Sequence, residues 1–338
     1  MKNSVIYLTR ACPRKCSYCG IINPVGLGTE LGAEEWEDAL EITRILGVDF
    51  NLFLGNEPWL LGSDLLRVLL SSNTSYGLYT SCFKSLFDRY KEMFFRFGIK
   101  NFSCGVDYPS DILSRGVYSS DAQMVAKAID AWAGLRWVRT NFPEVETHAT
   151  ITINNSNYLW LEEIVDELSD LGVFSNINGV HYNKDGGYDF FSDEAYGLTL
   201  KKQDYSKLGR IFNRILETRG LVQNMEMLLM GIDKFIEMGW HCNGDPYGGP
   251  TIDSDGSLRC CGYRKGTRTC NLSIFDLPKL ESFWTESVYK DAMDCPGCSW
   301  SCSWMYHYWK DKDEMFGEKV FANHARRSGE KQKKSYSL

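Results

Sequence analysis

Three cysteines lie close together near the start of the chain, in the stretch Cys12-Pro13-Arg14-Lys15-Cys16-Ser17-Tyr18-Cys19. The stretch follows residues 4–9, where apolar and β-branched side chains predict a first strand. A structural zinc ion takes four closed ligands and a redox pair needs two, whereas three cysteines on a 4Fe-4S cluster leave one iron open. The stretch therefore predicts an open iron–sulfur site at a strand end, with a zinc knuckle or loop cysteines that bind no metal as the alternatives.

Length and composition restrict the class of protein. The chain has 338 residues, 43% of them hydrophobic and 24% charged, which is typical of a globular protein with one large domain and an appendage. It has no run of about 18 apolar residues, and its N-terminus is too short and polar-flanked for a signal peptide. We therefore expect a cytoplasmic protein, in which a content of twelve cysteines favours metal or cluster ligation over disulfides.

The charge distribution gives little sign of nucleic-acid binding. The net charge is −7, so no general attraction to phosphates is expected. The exception is the basic C-terminal tail at residues 326–334, for which a solvated end and an RNA contact both stay open.

Strand and helix patterns alternate over the first 200 residues. The strands are predicted at 4–9, 48–54, 76–80, 100–106, 146–153 and 177–182. The helices are predicted at 33–46, 64–70, 83–97, 121–138 and 158–171, with two more at 203–217 and 225–238. Six βα repeats imply a parallel sheet with right-handed crossovers. Periodicity alone leaves open whether the sheet is doubly wound or forms a barrel.

The Cys-x3-Cys-x2-Cys spacing, with an aromatic residue before the last cysteine, resembles the signature of the radical SAM superfamily. The resemblance implies an α/β fold with a partial (β/α)6 TIM-like barrel and a 4Fe-4S cluster at its C-terminal mouth. In that family the open iron binds the amino and carboxylate groups of S-adenosylmethionine. An electron from the cluster, supplied by a donor such as flavodoxin or ferredoxin, releases a 5′-deoxyadenosyl radical that removes hydrogen from the substrate.

Loops at other strand ends resemble the parts of that family that hold the cofactor. Gly55-Asn56-Glu57-Pro58 resembles its Gly-Gly-Glu-Pro motif, with Glu57 facing the methionyl ammonium and Asn56 replacing a glycine. Asp107 resembles the acid of the Ser-x-Asp motif that contacts ribose, with Gly105 in place of the serine. By the same resemblance Arg115 binds the methionyl carboxylate.

Three further positions are expected around the nucleoside. Asn154, at the end of the fifth strand, is a ribose candidate, and Tyr18 is expected against the adenine. The pair His181-Tyr182, at the end of the sixth strand, is expected to complete the adenine pocket, although a lone histidine there is more often structural.

Cysteines return near the C-terminus. Cys242, a predicted hairpin with Asp255-Gly256 at its turn, and Cys261 resemble the opening of the SPASM/Twitch motif. The later Cys-x2-Cys-x3-Cys is shorter than in a full SPASM domain, so we expect one auxiliary 4Fe-4S cluster. Its expected ligands are Cys242, Cys261, Cys295 and Cys298, with Cys302 as the alternative to one of the last pair and Cys260 as the alternative to Cys261. A structural zinc site with the same thiolates stays open.

The predicted elements and the resemblances divide the chain into a radical SAM barrel (1–200), linking helices (201–240), an auxiliary cluster domain (241–310) and a basic tail (311–338). We expect a net oxidative modification, by dehydrogenation or C–C or C–S bond formation, of a small metabolite or peptide. The early position of the triplet favours a small molecule or a substrate delivered by a separate partner. The alternatives are a tRNA or nucleotide modifier and a non-catalytic zinc or iron–sulfur binding module. Asp245, Tyr247 and Asp253 are candidates for acid/base chemistry, without a choice among them.

Overall fold

The computed structural model of the chain describes residues 3–19, 29–114, 122–184, 193–218, 220–241, 250–261, 268–279 and 281–298. Within these ranges eight strands form one sheet. The strands are β1 (Asn3–Tyr7), β2 (Phe50–Leu54), β3 (Ser75–Thr80), β4 (Asn101–Gly105), β5 (Glu146–Ile153), β6 (Phe174–Gly179), β7 (Thr251–Ile252) and β8 (Leu258–Arg259).

The first six strands are parallel neighbours in reverse chain order, and the full order is β6-β5-β4-β3-β2-β1-β7-β8. Nine α-helices are described: α1 (Ala33–Ile45), α2 (Ser63–Ser71), α3 (Lys84–Phe95), α4 (Ala122–Asn141), α5 (Leu161–Asp170), α6 (Tyr205–Glu217), α7 (Met225–Met230), α8 (Ile232–Glu237) and α9 (Glu281–Met293). Helices α1 to α5 are the crossovers between successive parallel strands, as expected of βα repeats. The predicted α/β partial barrel is confirmed, and the described strands leave it open rather than closed.

An aromatic core packs between the sheet and its helices. Trp59 follows β2 and is fully buried, and its ring meets those of Phe94 at 4.6 Å and Phe87 at 5.9 Å, edge to face. Edge-to-face contacts of this kind add to the stabilisation from apolar burial. They fix α3 against the loop that follows β2, which is one of the loops at the mouth of the barrel.

The C-terminal hairpin continues the sheet of the barrel. Strand β7 pairs in parallel with β1, with Val5 opposite Thr251 and Ile6 opposite Ile252, and β8 returns antiparallel to β7. The predicted hairpin is confirmed, and Gly256 at its turn has φ +78°, a conformation that glycine adopts without strain. The hairpin that the sequence assigns to the auxiliary domain therefore lies directly beside the strand that leads to Cys12.

The predicted helix at 225–238 is two short helices, α7 and α8, separated at Gly231. A β-carbon at Gly231 would overlap the indole ring of Trp240, so the packing of that ring against the backbone requires the glycine. None of the described helices has the length and apolar character that crossing a membrane requires.

Candidate cluster and cofactor site

The carboxyl ends of the six parallel strands meet at one edge of the sheet, and the predicted site residues follow them. The cysteine loop begins five residues after β1 ends at Tyr7, and Gly55 comes directly after β2. Asp107 follows β4, Asn154 follows β5 and His181 follows β6. Parallel strands therefore bring together residues that lie up to 169 positions apart in the sequence, Cys12 and His181.

The cysteine loop forms a tight turn. The amide of Cys19 donates to the carbonyl of Cys16 at 3.0 Å, and the amide of Arg14 donates to the sulfur of Cys12 at 3.4 Å. Cys16 is buried, while Cys12 and Cys19 are half-buried. Burial raises the pKa of the Cys12 thiol to about 11, with smaller contributions from the charges of Glu57 and Cys19. The two cysteines at the ends of the loop and Glu57 therefore share one electrostatic environment.

The loop after β2 is hydrogen-bonded to the residues that lead into the cysteine loop. The amide of Asn56 donates to the carbonyl of Thr9 and that of Glu57 to the carbonyl of Ala11, each at 3.0 Å. A β-carbon at Gly55 would lie 2.7 Å from the carbonyl oxygen of Thr9, so only glycine fits there. The side-chain amide of Asn56 also donates to the carbonyl of Arg10.

The carboxylate of Glu57 is fully buried and accepts four hydrogen bonds. The donors are the hydroxyl of Thr80 at 2.7 Å, the amide of Ser81 at 3.0 Å, the hydroxyl of Ser81 and the amide of Trp59 at 3.4 Å. Burial raises the pKa of Glu57, and these hydrogen bonds oppose the rise. The carboxylate thus joins the ends of β2 and β3 and holds the Gly55–Glu57 backbone in place.

Helix α4 contacts the cysteine loop at two points. Arg14 is buried and makes a 2.6 Å ion pair with Asp130, and its Nε donates to the hydroxyl of Ser81 at 3.3 Å. One turn earlier on α4, the ammonium of Lys127 donates to the hydroxyl of Tyr18. Both halves of the loop are therefore attached to the same helix.

Asp107 bonds both partners of the contact between Lys127 and Tyr18. Its Oδ2 accepts from the hydroxyl of Tyr18 and from the ammonium of Lys127, each at 2.8 Å, and its Oδ1 accepts from the amide of Thr152 at 3.0 Å. Burial alone would lower the pKa of Lys127, but the charge of Asp107 and smaller contributions from Tyr18 and Cys16 raise it well above its ordinary value. The ribose candidate Asp107 and the adenine candidate Tyr18 are thus bonded to each other.

Asn154 is also fully buried and orders a turn. Its side-chain oxygen accepts from the amide and hydroxyl of Ser156 at 2.8 and 2.6 Å. Asn157, three residues later, donates from its side chain to the carbonyl of Asp107 at 3.0 Å. The turn after β5 therefore supports the segment after β4.

The spacing of the three sulfur atoms tests which metal group they fit. Among the described residues, the group of three Cys, His, Asp or Glu side chains whose ligand atoms all lie within 4.8 Å of one another is Asp111, Glu163 and Glu167. The sulfur atoms of the three loop cysteines are not all within that distance of one another. A tetrahedral zinc with Zn–S bonds of about 2.3 Å holds its sulfurs about 3.8 Å apart. Three thiols whose sulfurs are not all within 4.8 Å of one another are not arranged as closed tetrahedral zinc ligands, and a three-thiol donor set is the one that leaves an iron of a 4Fe-4S cluster open.

The described cysteines Cys295 and Cys298 lie near Tyr182, which follows β6. Trp240 and Cys298 exchange backbone hydrogen bonds at 3.0 and 2.8 Å, and Cys298 packs with Met238 against Tyr182, beyond the end of β6. Gly297, between Cys295 and Cys298, has φ +98°, and a β-carbon there would lie 2.5 Å from the carbonyl of Met238. Glycine is therefore required in this Cys-x2-Cys turn.

A chain of hydrogen bonds links the hairpin cysteines to helix α9. The amide of Cys260 donates to the hydroxyl of Thr269 at 3.0 Å, and the amide of Thr269 donates to the carboxylate of Asp291 at 2.8 Å. Helix α9 then leads into Cys295. The cysteine pair at the end of β8 and the Cys-x2-Cys turn are thus connected through a few intervening contacts.

Asp253 connects the hairpin to the start of the cysteine loop. Its carboxylate receives Nε and Nη2 of Arg10 at 2.7 and 2.8 Å and is also paired with Arg259. All three side chains are at most 3% exposed. Arg10 lies two positions before Cys12 and Arg259 two before Cys261, so one buried carboxylate braces both cysteine segments. Asp253 is therefore part of a structural ion network.

Some predicted residues lie outside the described parts of the chain: Arg115, Cys242, Cys302, Asp245 and Tyr247. His181 is described and buried, and burial lowers its pKa to about 3. It is therefore a neutral imidazole at neutral pH.

The sheet order, the strand-end loops and the C-terminal hairpin can be compared with known proteins. Three crystal structures of Streptococcus suis SuiB superpose on 85% of this chain, with TM-scores of 0.57 to 0.59 and 15 to 16% sequence identity. The chain has the fold of SuiB. One of these structures of SuiB holds S-adenosylmethionine, and another holds the precursor peptide SuiA. The matched regions cover 65 to 66% of SuiB.

Comparison of the sequence alone finds little similarity to known proteins. No protein-family model matches the chain. An uncharacterized protein of Archaeoglobus fulgidus is 24% identical over 273 residues, which are 77% of this chain and 61% of that protein. The chain therefore spans less than two thirds of the length of this relative.

Sequence reasoning missed the residues that hold the cysteine loop: Arg10, Arg14, Lys127 and Asp130. Their partners lie 67 to 243 positions away for the arginines and 20 to 109 for Lys127. For Lys127 the sequence holds one indirect signal. Gly105 departs from the Ser-x-Asp motif, and it lies against Lys127.

Proposed function

We propose that the chain is a radical SAM enzyme in which Cys12, Cys16 and Cys19 hold a 4Fe-4S cluster. The observation that carries the proposal is the bonding of the cysteine loop to the Gly55–Glu57 loop, on the fold of SuiB. When bound, such a cluster supplies an open iron for S-adenosylmethionine and the electron that cleaves it.

The residues of the chain have separate tasks in this proposal. The Gly55–Glu57 loop presents its backbone to the methionyl amino group, while the carboxylate of Glu57 holds that backbone rigid from below. Arg115 remains our candidate for the methionyl carboxylate. Asp107 and Asn154 order the loops around the nucleoside, and Tyr18 lies at its edge. A rigid loop backbone favours a defined cofactor geometry.

We further propose an auxiliary 4Fe-4S site near the C-terminus, with ligands among Cys242, Cys261, Cys295, Cys298 and Cys302. The pairing of Trp240 with Cys298 supports it, because Cys242 follows Trp240 by two residues. Contact of Cys298 with Met238 and Tyr182 puts this region close to the end of β6.

The substrate we propose is a peptide, acted on by oxidation. Support comes from the likeness to SuiB, of which one structure contains a precursor peptide. The described sheet ends at β6 on one side and at the hairpin strand β8 on the other. An extended peptide would bind across the strand ends between them.

The test is the iron and sulfide content after anaerobic reconstitution. Wild type is compared with Cys12/Cys16/Cys19→Ala and with Cys261/Cys295/Cys298→Ala. We expect about eight irons in wild type and about four in each variant, since each set holds one cluster of four irons. About four irons in wild type and none in the first variant would leave the enzyme standing and remove the auxiliary cluster. An iron-free wild type would refute the proposal.

A further inference from the structure

A lysine buried in the wall of the barrel contacts the cysteine loop from below. Lys127 comes from α4, and its side chain is 10% exposed while that of Asp107 is 0% exposed. Its ammonium is shared by the carboxylate of Asp107 and the hydroxyl of Tyr18, which lies between Cys16 and Cys19. Burying a charged lysine costs free energy unless the charge is paired, and Asp107 and Tyr18 supply that pairing here.

Gly105 provides the space for this lysine. A β-carbon at Gly105 would lie 2.7 Å from Cε of Lys127 and closer still to its Nζ. A serine at position 105 and the observed lysine conformation therefore exclude each other. The absence of a β-carbon at position 105 therefore makes room for the end of the Lys127 side chain.

We propose that Lys127 is a positioning residue for the cluster site, fixing Tyr18 and the cysteine loop on Asp107 and compensating the charge of Asp107 beneath the cluster. The effect of Lys127 on the cluster rests on the proposed function. The positioning of Tyr18 and the cysteine loop by Lys127 concerns the chain alone. The position of Cys16 supports both parts, because it belongs to one buried cluster with Met124, Val125 and Ala128 of the same helix.

The charge of Lys127 bears on reduction of the cluster. In that step one electron from dithionite enters the cluster, no proton is transferred, and the cluster with its three thiolates gains one negative charge. A fixed ammonium nearby stabilises the more negative state, and net charge is one of the factors that set cluster potentials. Without Lys127, the carboxylate of Asp107 is left uncompensated on the same side.

The first experiment uses the metal-free chain and a double-mutant cycle of Gly105→Ser and Lys127→Ala, measured by urea unfolding. Gly105→Ser is expected to raise the unfolding equilibrium constant about tenfold when Lys127 is present and less than about threefold in Lys127→Ala. Equal effects of Gly105→Ser in the two backgrounds would overturn the steric pairing.

The second experiment measures the midpoint potential of the reconstituted cluster in wild type and Lys127→Met. The matched control is Arg136→Met, which removes a cation from the exposed side of the same helix. We expect Lys127→Met to lower the reduction equilibrium constant at least about tenfold, a shift of about 59 mV to more negative potential. Arg136→Met should leave the potential unchanged. Lys127→Arg should recover part of the shift, and so should Lys127→Met/Asp107→Asn.

The outcomes separate the two proposals. A wild type that assembles no cluster would refute the proposed function, while the double-mutant cycle still tests the pairing of Gly105 and Lys127. A wild type that assembles the cluster, with Lys127→Met and Arg136→Met indistinguishable in potential, would overturn the present inference alone.

Discussion

Replacing Asp253 with asparagine should destabilise the fold strongly. Its carboxylate pairs with Arg10 and Arg259, and the three side chains are at most 3% exposed. Asparagine keeps the shape but removes the charge, and its amide turns a donor toward a guanidinium. Removing one partner of a buried ion pair costs about 3–5 kcal/mol. We expect a loss of that size in the free energy of unfolding, measured by urea denaturation of the metal-free chain.

The control for Asp253→Asn is Glu162→Gln, which removes the partner of Arg214 in a 2.6 Å pair at the surface. With Arg214 51% exposed and Glu162 30% exposed, this loss should be below about 1 kcal/mol. The m-values should stay equal, so that midpoints report stability. An Asp253→Asn loss as small as that of Glu162→Gln would refute the view that this ion network braces the hairpin against β1.

Two further predictions concern the Cys-x2-Cys turn and pH. Gly297→Ala should lower the free energy of unfolding more than Gly98→Ala. Both glycines have positive φ, which costs an alanine about 1–2 kcal/mol. Only at Gly297 would the new β-carbon also press against a backbone carbonyl. Equal losses in urea would contradict this. Because burial lowers the pKa of His181 to about 3, the unfolded chain takes up this proton first as the pH falls below 6.5. Wild type should then lose about 1.4 kcal/mol per pH unit more than His181→Gln between about pH 6 and about pH 4, and parallel profiles would contradict it.

The sequence was sufficient for the repeating part of the fold. Five of the first six strands lie within two residues of their predicted bounds, because apolar periodicity reflects which face is buried. The sixth was predicted at 177–182 but runs Phe174–Gly179. Its polar residues Ser175, Asn176 and Asn178 hide the strand, and pairing with β5 sets its register.

Features that depend on distant contacts were not predicted. Helix α9 was missed because its buried positions include the polar Ser287 and Asp291 beside Val288 and Ala292, which weakens the apolar pattern. At Gly231, where the two short helices meet, the indole ring of Trp240 occupies the space that a β-carbon would take.

The candidate site divides in the same way. Cysteine spacing and strand-end motifs indicated where the cofactor residues lie in the sequence. They did not indicate that the carboxylates of Glu57 and Asp107 are turned into the protein and hold the loops. Those roles come from hydrogen bonds between loops of different strands, for which local sequence carries no signal.

The central claim is that the Cys12–Cys19 loop supports cleavage of S-adenosylmethionine. The most direct measurement is formation of 5′-deoxyadenosine by the anaerobically reconstituted chain under dithionite, for wild type and Cys12/Cys16/Cys19→Ala. We predict product with wild type and none with the variant, whose C-terminal cysteines are intact. Equal product from both proteins, or none from a wild type that holds its iron, would contradict the account.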